Sequence, residues 1–107
     1  MNDSPHHPAL FQPINVGNIA LAHRVVLAPL TRCRANDRGV HGDLAVEYYA
    51  QRASVPGTLL ISEAVNVSYL AQGVSAHAPG IYTEEQIASW KRVSVCALVY
   101  TYQRETS

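Results

Sequence analysis

Apolar positions along the chain fall into short runs separated by polar, glycine- and proline-rich breaks. Residues 10–21 hold two such runs, Ile14-Asn15-Val16 and Ile19-Ala20-Leu21, around Gly17-Asn18. A Gly-Asn pair between apolar runs predicts a tight β-hairpin. Val25-Val26-Leu27-Ala28 is a continuous apolar run of the kind that fills a strand buried on both faces. Pro29 cannot donate to a ladder and marks the end of that strand. Residues 58–67 form a second run rich in branched side chains, closing on Ser62-Glu63-Ala64. It also reads as a buried strand.

Between these runs the period changes. Leu44 and Tyr48, and Ala45 and Tyr49, recur at i, i+4, which predicts a helix with an apolar face. Asp43 is the expected N-cap. Pro56 disfavours helical geometry at Val55, and Gly57 allows a tight turn, so the helix should stop near Ser54-Val55-Pro56-Gly57. Thr83 and Gln86 form a capping box that opens a second helix, with Ile87 and Trp90 on its apolar face. Ser94 to Tyr102 is β-branched and apolar, and predicts an added strand.

Chemistry gathers where the first strand ends. Thr31, Arg32 and Arg34 come within five residues after Pro29, and parallel α/β sheets and barrels build binding sites from such groups at strand C-termini. An ordinary core strand running into a solvated loop would look the same. Glu63, at the mouth of the second strand, is costly to bury unless paired. Its expected partners are loop backbone or an arginine such as Arg32. Tyr48 and Tyr49 read as packing residues on the outer helix rather than proton donors, and Trp90 as a packing anchor.

Composition narrows the class. With 107 residues and zero formal net charge, the chain holds at most one small domain. The apolar content suits a globular core, and no basic stripe points to nucleic acid. No apolar segment approaches the roughly 20 residues that span a bilayer. Residues 1–8 read as a flexible polar leader, not a signal peptide, with His6-His7 as exposed side chains. Cys33 and Cys96 have no metal-ligand spacing, so no metal site is expected and a reducing cytoplasm is the default location.

Five blocks together resemble the old yellow enzyme family of flavin-dependent NAD(P)H oxidoreductases. They are Leu10-Phe11-Gln12-Pro13; Val25 to Arg34; Glu47-Tyr48-Tyr49-Ala50-Gln51-Arg52-Ala53; Pro56 to Ala64; and Ala78-Pro79-Gly80-Ile81-Tyr82 leading to Gln86 and Trp90. Their order and spacing carry the resemblance from about residue 9 to 93. It implies an α/β fold, the opening part of a TIM (β/α)₈ barrel with an N-terminal hairpin plugging its bottom. A whole barrel takes about 250 residues, so the barrel is expected to be truncated, with residues 94–107 a divergent tail. His23 stands where the family usually has Asn, which puts a local turn contact in question.

The resemblance also implies FMN as cofactor and NAD(P)H as hydride donor, with Ala28, Pro29, Leu30, Thr31 and Ala64 binding the cofactor. In the family the hydroxyl at the Thr31 position hydrogen-bonds the flavin near its reactive nitrogen, and a small residue at the Ala64 position lets backbone approach the ring. The implied activity is reduction of activated C=C bonds in enone-type small molecules. The family's proton-donating tyrosine and carbonyl-polarising pair lie beyond Val93, so no catalytic residue is expected here, and His23, His41 and His77 do not replace them. The contrasting expectation is an inactive product or interaction remnant of such an enzyme. No nucleic acid or membrane partner is expected, and the oligomeric state is left open.

Overall fold

A computed structural model of the chain describes residues 8–72 and 76–105, with side chains through residue 95. Residues 1–7, including His6-His7, lie outside the described residues, as does Gly73. The element order is a 3₁₀ turn at Ala9–Phe11, then β1 (Ile14–Val16), β2 (Ile19–Leu21), β3 (Val26–Leu27), α1 (Asp43–Arg52), β4 (Leu59–Leu60), a second 3₁₀ turn at Tyr69–Ala71, and α2 (Glu84–Glu105).

β1 and β2 form the expected antiparallel hairpin, with Val16 opposite Ile19 and Ile14 opposite Leu21. Gly17 takes φ +58°, while Asn18 does not enter the positive-φ region. A positive φ at the first central residue alone matches the type II′ turn, whose twist suits paired strands. The Ala22 N–H donates to the Gly57 carbonyl at 3.1 Å, which fixes the hairpin beside the turn that enters β4. Gly57 has φ +76°, and a Cβ there would lie 2.5 Å from the Ala22 Cβ, so this close approach requires glycine.

β3 and β4 are parallel, pairing Val26 with Leu59 and Leu27 with Leu60. Both strands are shorter than their apolar runs predict. Nor are they buried on both faces: Val25, Val26, Leu30 and Ile61 are exposed. The reason is one of partners: among the described residues no further strand flanks the pair, and α1 and α2 pack on each other without enclosing it.

His23, whose presence put a local turn contact in question, makes a turn contact of its own. Its Nδ1 accepts from the Val25 N–H at 3.1 Å, and its Nε2 lies 2.8 Å from Thr58 Oγ1, tying the entrances of β3 and β4 together.

The helices carry three corrections. Asp43 is the first residue of α1 rather than its N-cap; Gly42 holds the cap position in extended geometry with no side-chain bond. The Asp43 carboxylate instead pairs with Arg92 of α2. The buried face of α1 follows Ala45, Tyr49 and Ala53, whereas Leu44 is 73 % exposed. Residues 94–102 are helix, not strand. A helix once opened by its cap propagates at one hydrogen bond per residue, and no glycine or proline interrupts α2. β-propensity without a strand to pair with does not oppose that.

The capping box is formed as predicted. The Gln86 N–H donates to Thr83 Oγ1 at 3.2 Å, and Gln86 Oε1 accepts from the Thr83 N–H at 3.1 Å and the Tyr82 N–H at 2.9 Å. Gln86 is completely buried, and its Nε2 also donates to the Arg38 carbonyl at 2.8 Å. One amide therefore closes the α2 N-terminus and pins the loop before α1. Gly80 makes room for it, since a Cβ there would lie 2.5 Å from the Gln86 amide. Trp90 is the anchor expected of it, donating from Nε1 to the Gly80 carbonyl at 3.1 Å and meeting the His41 ring edge-on at 4.5 Å.

Candidate functional site

Because β3 and β4 run parallel, the segments that follow them leave the ladder on the same side, toward one rim. The Ile61 N–H donates to the Leu27 carbonyl at 3.0 Å as the last rung of the ladder. The register of the Val26–Leu59 and Leu27–Leu60 pairs, continued past the end of the ladder, would set Thr31 opposite Ala64. Ala28, Pro29, Leu30, Thr31 and Ala64 are all exposed. Among the described residues the Thr31 hydroxyl has no hydrogen-bond partner.

Directly behind this rim lies a buried polar cluster. Glu63 is 4 % exposed and His41 3 %. Glu63 Oε2 accepts from the Arg32 N–H at 3.4 Å, and Oε1 accepts from the Tyr49 hydroxyl at 3.1 Å. The same hydroxyl accepts from the Glu63 N–H at 3.2 Å. His41 Nε2 stands 3.3 Å from Glu63 Oε1, within ion-pair range but outside hydrogen-bond geometry. Glu63 thus takes the backbone of Arg32, one of its two expected kinds of partner. The Arg32 guanidinium lies elsewhere, 4.9 Å from the centre of the Tyr48 ring, which Arg52 also covers at 3.7 Å.

The cluster sets two ionisations. Burial pushes the Glu63 carboxyl up, but His41, the Tyr49 hydroxyl and the Arg32 amide more than offset it, holding the group below its ordinary value. Burial, with the adjacent Glu63 charge, pushes the Tyr49 phenol up to about 12. At neutral pH Glu63 is a carboxylate and Tyr49 a phenol that donates to it.

A cavity of about 420 Å³ opens beside Tyr49, Leu60 and Ser62, and two others lie nearby. One of about 140 Å³ is lined by Arg32, Arg34, His41, Tyr48, Tyr49 and Glu63, among others. A polar one of about 400 Å³ lies between the loops carrying Asn36 and His77, and none of the five sequence-predicted cofactor residues lines it. The rim is an open surface rather than a cavity. Sequence reasoning missed His41 and the reach of Tyr49 to Glu63. The pairing of residues 14 positions apart has no local signal, and His41 beside Gly42 looks like any loop histidine. Among the described residues no group of three or more His, Cys, Asp or Glu could hold a metal ion.

A match to the NADH:flavin oxidoreductase / NADH oxidase family spans residues 9–95. The chain belongs to that family. Its members work with FMN and draw hydride from NAD(P)H. A chanoclavine-I aldehyde reductase of Penicillium roqueforti is 55 % identical over 85 residues, covering 79 % of this chain and 23 % of that protein. A probable inactive reductase of Epichloe festucae var. lolii is 49 % identical over 84 residues, covering 78 % of this chain and 22 % of that protein. Among solved structures, morphinone reductase in complex with tetrahydroNAD matches with a TM-score of 0.78 and 45 % identity, covering 88 % of this chain and 25 % of that one. The old yellow enzyme homologue from Zymomonas mobilis matches with a TM-score of 0.78 and 40 % identity, covering 87 % and 25 %.

The chain therefore spans about a quarter of the length of these old yellow enzyme relatives. They are (β/α)₈ barrels, and the described residues correspond to part of one without closing it. Among the described residues no helix is long and apolar enough to cross a membrane.

Proposed function

We propose that the chain supplies one side of the flavin seat of an NAD(P)H-dependent ene-reductase acting on enone-type small molecules. The observation that carries this reading is the parallel register of β3 and β4, which, continued past the end of the ladder, sets the exposed Thr31 opposite the exposed Ala64. Barrel enzymes of this kind do their chemistry at that face. The residues present fit an FMN edge. Thr31 offers a hydroxyl free among the described residues, Ala64 offers a small side chain, and the exposed Ala28, Pro29 and Leu30 offer apolar surface to a ring.

When bound, FMN would accept hydride from NAD(P)H and pass it on. The residues of this chain would bind and tune it. The Thr31 hydroxyl would donate toward the ring edge that carries negative charge on reduction. Ala64 would let the backbone that follows β4 come close. Glu63, buried behind them, is a carboxylate held by Tyr49 and the Arg32 amide rather than a free base.

A second reading concerns the chain by itself. It spans about a quarter of its relatives, and one of those is a probable inactive reductase. No residue here is assigned as proton donor or carbonyl-polarising group, so the chain alone would form the seat's edge without turning over an enone.

Both readings are tested by grafting residues 9–93 into morphinone reductase in place of its matching quarter. The chimera is expected to purify with FMN and to oxidise NADPH or NADH with a cyclic enone. The free chain with added FMN is expected to match free flavin. Ala64→Leu in the chimera is expected to lower flavin occupancy by steric exclusion. Full occupancy in that variant would mean the ring lies elsewhere, and turnover by the free chain would overturn the second reading.

A further inference from the structure

The β3–β4 ladder ends at Leu27 and Ile61, several residues short of the rim. Past that point, among the described residues, the two strand mouths are tied by the Glu63 carboxylate, which accepts from the Arg32 N–H at 3.4 Å. That carboxylate is itself immobilised. Tyr49 donates to its Oε1 and accepts from the backbone N–H of the same residue, so one phenol grips both ends of Glu63. The neighbouring Tyr48 carries the Arg32 guanidinium on its ring face. Adjacent tyrosines of α1 thus hold adjacent parts of the rim, Tyr49 through Glu63 and Tyr48 through the Arg32 side chain. His41 stands on the far side of the carboxylate, where Trp90 meets its ring edge-on.

A buried carboxylate is poor core filler, because its desolvation opposes the gain from pairing and an apolar residue of similar size serves packing as well. The cost makes sense if the carboxylate fixes a backbone position that an apolar side chain cannot. We propose that Glu63 is a positioning residue for the cofactor edge: by holding the Arg32 peptide from behind, it sets where Thr31 stands beside Ala64. The role rests on the reading of that rim as part of the flavin seat.

The test uses the isotope-labelled full chain, with Tyr49→Phe, Glu63→Gln and Glu63→Leu as variants. Val93→Ala serves as a control that weakens the core at a buried side chain while leaving every hydrogen bond to Glu63 its donor and acceptor. Amide hydrogen exchange at Arg32 and amide shifts at Thr31 and Ala64 are read first without flavin. Exchange at Arg32 is expected to rise about tenfold in Tyr49→Phe, which removes both Tyr49 bonds to Glu63 and so loosens the acceptor of the Arg32 N–H by about the net worth of one hydrogen bond. It is expected to rise further in Glu63→Leu and less in Glu63→Gln, which keeps one acceptor oxygen. Val93→Ala should lower the melting temperature and leave the Arg32, Thr31 and Ala64 amides in place. Should Glu63→Leu fail to fold, Tyr49→Phe against Val93→Ala carries the comparison.

FMN is then titrated into each sample. Shifts at Thr31 and Ala64 are expected in the wild-type chain, with affinity falling about tenfold in Tyr49→Phe but not in Val93→Ala. Arg32 exchange unmoved in folded Tyr49→Phe and Glu63→Leu would overturn the positioning role. Arg32 exchange that responds, together with no FMN shift at Thr31 or Ala64 in the wild-type chain, would overturn the cofactor reading and with it the role as a cofactor positioner.

Discussion

At the scale of single residues, the chain is held by buried polar side chains that each serve several partners. Gln86 is the clearest. Its side chain satisfies the Tyr82 and Thr83 amides and the Arg38 carbonyl from a fully buried position. Gln86→Ala would strand all three groups, and the expected loss is about 2–4 kcal/mol. Urea unfolding measures it; a loss under about 0.5 kcal/mol would show that solvent replaces the amide freely. The capping box was legible from Thr83 and Gln86. The bond to Arg38 was not, because it joins residues 48 apart and depends on Gly80 standing clear.

Glu63 and Tyr49 give the fold opposite pH limbs. The Glu63 carboxyl is held below its unfolded value of 4.5, so its contribution is complete above that pH and is lost as pH falls through the lower folded value. The Tyr49 phenol rises from 10.0 to about 12, so its contribution is complete below pH 10 and is lost as pH climbs toward 12. Melting temperatures from pH 3 to 12 should therefore fall at both ends. Tyr49→Phe is expected to flatten the alkaline limb and Glu63→Gln the acid limb. Variants that keep the wild-type profile would show that other groups set these limbs.

At the scale of elements, local patterns carried identity and order further than they carried length. The Gly17 hairpin, the α1 stop before Pro56 and the α2 start at Thr83 each follow from turn or cap chemistry that two or three neighbouring residues determine. The lengths of β3 and β4 do not, because a strand extends only as far as a partner pairs with it, and the ladder ends after Ile61. The segment after Val93 shows the converse. Its β-branched residues read as strand, yet α2 runs through them to Glu105 because helix propagation needs no distant partner. Ser94→Pro tests that continuation. Proline there removes an interior hydrogen bond and clashes with the preceding turn, at about 3 kcal/mol or more. Circular dichroism at 222 nm should show a loss of helix extending past residue 94; an unchanged signal would return the segment to the non-helical reading.

For the whole molecule, the N-terminal hairpin, the parallel pair and the two helices follow the order of the blocks that carry the barrel resemblance. The exposed Val26, Leu30 and Ile61 mark surface that the described residues do not cover. The parallel pairing of the two apolar runs was legible, because the barrel resemblance implies neighbouring parallel strands. The clamp behind the rim was not, since Tyr49, His41 and Glu63 meet only through tertiary packing. The central claim is that this rim touches the reactive edge of FMN, and the most direct measurement is the flavin reduction potential of the morphinone reductase chimera with and without Thr31→Ala. Loss of a hydrogen bond to the charged reduced ring, worth about 1.5–3 kcal/mol, should lower the potential by about 30–65 mV for a two-electron couple. An unchanged potential in a folded, flavin-loaded variant would contradict the claim.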